Sequence, residues 1–98
     1  MSFSILWSIE SKITINEITA HLEKEWNAEI VNNFLDRVYE VIETISKNPL
    51  LYPCMDNEKN IHRCIVVTQV SLYYRIRKSE IDLMVFWDNR QDPSLLNF

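Results

Sequence analysis

Ninety-eight residues, 47% of them hydrophobic and eleven of them aromatic, supply one core and exclude both a second domain and a disordered chain. A formal net charge of −4 excludes a general nucleic-acid binder, because phosphate affinity comes from clustered Lys and Arg. Glycine is absent, which excludes a glycine-rich phosphate loop.

The chain opens with Phe3, Ile5 and Trp7 alternating with Ser4, Leu6 and Ser8, the period of a short strand. Thr14-Ile15-Asn16-Glu17 fits a capping box, in which Thr14 caps a helix and Glu17 returns to the Thr14 amide. Ile15, Ile18 and Leu22 share one helical face, and Trp26 closes the segment; a start near Ser8 or Ser11 fits as well. From Asn27 to Ser46, Val31, Phe34, Leu35, Val38, Val41, Ile42 and Ile45 recur at three-and-four spacing, which predicts a second, strongly amphipathic helix. Asn27 is its expected N-cap, and Asn48-Pro49 its stop. So short a connection folds the two helices into an antiparallel hairpin.

Beyond Pro49 the period changes to 2. Leu50–Pro53 reads as an apolar connector and Asp56–Asn60 as a polar loop. Ile61–Thr68, Leu72–Arg77 and Ile81–Trp87 read as three strands joined by tight turns. The last is apolar on both faces, so a central place covered on both sides is expected for it. The order predicts an α+β layer over residues 1–98: a strand, an antiparallel helical hairpin, then a three-stranded antiparallel meander.

Charge is unevenly spread. Residues 1–53 hold eight acids and four bases, whereas residues 54–98 hold six of each, which leaves room for a local basic patch in the second half. Cys54 and Cys64 form no CxxC pair and read as reduced thiols in a cytoplasmic protein. The first residues lack the basic and apolar regions of a signal peptide. No apolar run approaches the ~20 residues of a membrane span.

This order of elements, with its local motifs, resembles the RelE/ParE toxin superfamily. Phe3–Trp7 followed by Ser8 is similar to that family's opening strand ending in Trp-Ser. The long helix leaving through Asn48-Pro49, Arg63 opening its strand, and Leu72-Tyr73-Tyr74-Arg75-Ile76 each match a family feature in the corresponding place. Most specific is Val85-Phe86-Trp87-Asp88-Asn89-Arg90-Gln91-Asp92-Pro93, which resembles the ending of one large ParE-like branch. The resemblance implies the toxin of a type II toxin–antitoxin system, as in plasmid stabilisation, held inactive by a cognate antitoxin and needing neither metal nor organic cofactor. It implies DNA gyrase as target if the chain is ParE-like, and messenger cleavage on the ribosome if it is RelE-like. An inactive antitoxin-binding module is a further alternative.

Cutting RNA without a metal requires a base, an acid and cations around the phosphorane. The best set here is Arg63, Arg75 and Arg90 as cations, with Tyr73 or His62 as proton carrier. Alternation places Arg63 on one face of its strand, and Tyr73, Arg75 and Arg77 on one face of the next. Each has a structural reading beside the functional one. Arg75, Arg77 and Lys78 read as solvated strand residues near Glu80 or Asp82, and Arg63 as paired with Asp88 or a carbonyl. Asp88 and Asp92 neutralise Arg90, and His62 reads as a packed strand residue. Active RelE-like nucleases display several lysines in the loop before this strand. Here that loop offers only Lys59 amid Asp56 and Glu58, so the expectation is a ParE-like toxin without messenger cleavage. The aromatics are expected mostly in the core, some forming a dry patch for the antitoxin.

Overall fold

In a computed structural model, residues 2–96 and 98 are described. The elements in chain order are β1 (Ser4–Trp7), α1 (Ile9–Glu25), α2 (Ala28–Lys47), β2 (Cys54–Asp56), β3 (Ile61–Val67), β4 (Val70–Arg77) and β5 (Glu80–Asp88). A single 3₁₀ turn follows at Pro93–Leu95. The strands make one sheet in the order β1-β5-β4-β3-β2, antiparallel except for the parallel β1–β5 pair. This is the α+β arrangement expected from the sequence, with one strand more than the meander called for.

Ser8, not Thr14, starts the first helix. Its backbone is extended, and its hydroxyl accepts from Ser11 N at 3.0 Å, which is how an N-cap satisfies an orphan donor. The capping box at Thr14 does not form. Thr14 lies mid-helix, where its hydroxyl donates to Glu10 O at 2.8 Å and accepts from Phe86 N at 3.0 Å. The local pattern lost because β1 ends at Trp7, leaving the edge of β5 opposite β4 without a strand neighbour from Met84 onward. Ser8 Oγ donates to Met84 O at 2.9 Å, so α1 continues the ladder with side-chain hydroxyls where β1 stops.

The second helix follows its sequence pattern. Asn27 caps it by accepting from Ile30 N at 3.0 Å. Phe34, Val38, Val41 and Ile45 are its buried residues, each contributing about 1.5–3 kcal/mol by leaving water. They pack with Cys64, Val66, Val70, Leu72, Tyr74, Ile81, Leu83 and Phe86 from the sheet. Tyr74 is fully buried and its hydroxyl donates to Pro49 O at 2.7 Å. Burial pushes its phenol well above the usual range.

Two details of the sheet correct the sequence reading. Cys54–Asp56 falls between the expected connector and the expected polar loop, sharing only Asp56 with the loop, yet pairs with β3 as a three-residue edge strand. It is too short to display an alternation. The middle place belongs to β4, while β5 lies between β4 and β1. The strand β5 is still covered on both faces. Ile81, Leu83 and Phe86 join the helix-side core, and Val85 packs with Ile61 and Tyr73 beneath Leu96 on the other side. A bulge at Met84 lets it face both ways, since Tyr73 pairs with Val85 and Tyr74 with Leu83.

Candidate functional site

The sheet face turned away from the helices holds most of the sequence-predicted site. Cross-strand partners share a face. Arg63 stands opposite Tyr73, and Tyr73 opposite Val85. Arg75, two residues along from Tyr73, lies between Ile61 and Asp82. Arg63, Tyr73 and Arg75 are therefore brought together, because the register of β3 against β4 makes the two strand faces coincide. Arg90 is not with them. It follows β5 and lines a groove on the helix side.

The cations of the open face differ sharply in their partners. Arg75 Nη2 lies 3.1 Å from Asp82 Oδ2, and Arg77 Nε approaches the same oxygen at 2.6 Å. The Arg77 hydrogen bond, with Arg75 adding to it, holds the Asp82 carboxyl below the usual range. Arg90 grips Asp88 at 2.7 Å and lowers that carboxyl in the same way, so Asp88 performs the neutralisation foreseen for it. Asp92 instead accepts from Ser94 N at 2.9 Å.

Arg63 forms no ion pair among the described residues. Its Nε donates to Ser71 Oγ at 3.0 Å, and Ser71 Oγ donates to Asn89 Oδ1 at 2.8 Å. Asn89 Nδ2 donates on to Thr68 O at 3.2 Å. The chain of bonds orients the half-buried guanidinium and ties the turn after β5 to the turn between β3 and β4. Among the described residues neither Asp88 nor a carbonyl accepts from the Arg63 guanidinium, contrary to its structural reading. The hub, Ser71, is fully buried; in the sequence it carries no signal beyond its place in a strand.

Tyr73 is buried under Phe98, with ring centroids 5.4 Å apart, and Lys59 Nζ donates to Phe98 O. His62 takes its packed reading. It is 4% exposed, its Nδ1 meets Tyr52 O at 2.8 Å, and its ring stacks on Tyr74. It points to the helix side, away from Arg63.

On that helix side, α1, the hairpin tip and the turn after β3 enclose a groove of about 940 Å³. Leu22, Ile30, Phe34, Val67, Val70 and Phe86 form its apolar lining, with Trp26 at the mouth. Trp26 is 68% exposed, which corrects its expected place in the core. Glu10, Glu17, His21 and the Asp88–Arg90 pair supply the polar rim. Both helices, three strands and the turns between them each give the groove residues that separately look like ordinary core.

No protein-family model matches the chain, and no curated protein sequence matches it. Among solved structures it is similar to a chain described as "Chromosomal ParDE TA system from P. aeruginosa". The TM-score is 0.75 and the identity 11%, over 89% of this chain and 96% of that one. The fold is thus RelE/ParE-like, in agreement with the motif resemblance.

Proposed function

We propose that this protein is the toxin of a type II toxin–antitoxin pair, acting in the cytoplasm in the ParE manner until a cognate antitoxin neutralises it. The observation that carries the reading is the likeness, across nearly the whole of both chains, to a chain from a ParDE toxin–antitoxin system. The groove supports it, since an exposed tryptophan above an apolar floor is what a partner helix needs. The ion pairs support a non-nuclease action. Glu80, Asp82 and Asp88 pair with Arg75, Arg77 and Arg90, leaving a sparse cationic field for a phosphorane.

One observation favours the ribosome-dependent nuclease as a second reading: Arg63, oriented but without an ion pair, stands directly opposite Tyr73. The test is induction of the gene alone and beside its short neighbouring reading frame. The ParE-like reading expects growth arrest relieved by the neighbour, altered supercoiling by DNA gyrase, and no early messenger fragments. Primer extension on a reporter message separates the two readings. Site-specific cuts that vanish in a folded Arg63→Ala variant install the nuclease. An induced protein without growth arrest, still bound by the neighbour, points to the inactive binding module. The acidic chain should also bind random RNA or duplex DNA poorly, with Kd of roughly 10⁻⁴ M or weaker at physiological salt.

A further inference from the structure

The rim of the groove carries a charge pattern that specifies its occupant. Glu10 and Glu17 line it seven residues apart on α1, which places them on one helix face about 10 Å apart. Neither belongs to an ion pair among the described residues. The one Lys or Arg in the lining, Arg90, is already committed to Asp88. Between these carboxylates and the exposed Trp26 and Ile30 lies apolar lining from both helices and the β3–β4 turn.

We infer that this groove receives a basic amphipathic helix, with its apolar stripe against Trp26, Ile30 and Leu22 and with Lys or Arg spaced seven apart facing Glu10 and Glu17. The helix would be the neutralising segment of the antitoxin; this inference rests on the toxin reading for the partner's identity and not for the surface. An acidic helix would meet like charge along the α1 side of the rim, which costs affinity and slows encounter. The outward face of the hairpin extends the same field, with Glu23, Glu25 and Glu29 around the tip against Lys24 alone.

The test uses the intact protein and two blocked helical peptides of about 18 residues, long enough to run beside α1. Both carry one leucine stripe; one is flanked by lysines, the other by glutamates. Titration calorimetry reports occupancy for wild type and variants alike. The basic peptide should bind about tenfold tighter than the acidic one, and added salt should erode the difference. Glu10→Lys with Glu17→Lys, both at exposed positions, should reverse the preference, and Trp26→Ala should weaken both peptides. Equal binding, no binding by either, or indifference to the double reversal overturns the inference. So does a concentration-dependent dimer that closes the groove with a second copy. The two readings fail separately. Neutralisation in cells that survives the double reversal undiminished sinks the basic helix and leaves the toxin. Preferential binding of the basic peptide without growth arrest keeps the surface assignment and removes the toxin.

Discussion

Thr14 Oγ1 accepts the backbone N–H of Phe86 at 3.0 Å, so a helix side chain completes a strand's hydrogen bonding across 72 residues of sequence. Thr14→Val keeps the shape and removes the acceptor. The orphaned amide should cost about 1–3 kcal/mol, read as a lower urea midpoint, whereas Thr14→Ser should stay near wild type. A Thr14→Val midpoint equal to wild type would show that the amide finds another partner.

Without glycine, two turn residues among those described adopt positive φ: Asn60 at 56° and Lys78 at 45°. Asn tolerates this region and Asn60 also bonds Ile76 O at 3.1 Å, whereas a lysine there is strained. Lys78→Gly should stabilise by about 0.5–1 kcal/mol, net of the added chain entropy. Asn60→Gly should gain nothing. Melting temperatures of the two variants check the contrast.

Acid sensitivity should trace to two carboxylates. Hydrogen bonds from Arg77 hold Asp82 low, and those from Arg90 hold Asp88 low. A folded pKa below the unfolded value of about 3.9 contributes stability that is complete above that value. It is lost as pH falls through the depressed folded values. Asp82→Asn should therefore lower stability at neutral pH and flatten its decline in acid, seen in unfolding curves between about pH 2 and 6.

The two thiols should react unequally. Cys54 is exposed, whereas Cys64 is fully buried and burial pushes its thiol up, leaving little thiolate to attack a reagent. Native protein should take up one equivalent of iodoacetamide, on Cys54, and unfolded protein two. Peptide mass mapping checks the site; label on native Cys64 would mean that the core beneath Tyr52 opens readily.

Legibility followed the range of the interactions. The second helix declared itself because Phe34, Val38, Val41 and Ile45 face one core at one period. Alternation put Tyr73 with Arg75 on one face of their strand, while only the register of β3 against β4 brought Arg63 to that face; the Asp88–Arg90 pair followed from adjacency. What failed was long-range. The Thr14 capping box was a sound local pattern overridden by Phe86, 72 residues away. The parallel pairing of β1 with β5 has no local signal at all. Trp26 looks like core in a list of aromatics, yet closes the helical hairpin and sits 68% exposed.

The parallel pairing of β1 with β5 also sets an order on biosynthesis. Ser8 waits 76 residues for Met84, so the first strand leaves the ribosome long before its neighbour is synthesised. The β3–β4–β5 meander and α2 are joined by nearer contacts and have no such wait. Phe86, Trp87 and Asp88 of β5 are also part of the groove lining. A nascent chain stopped before β5 therefore offers a partner helix no finished seat, and capture by that partner is confined to molecules translated through their last strand.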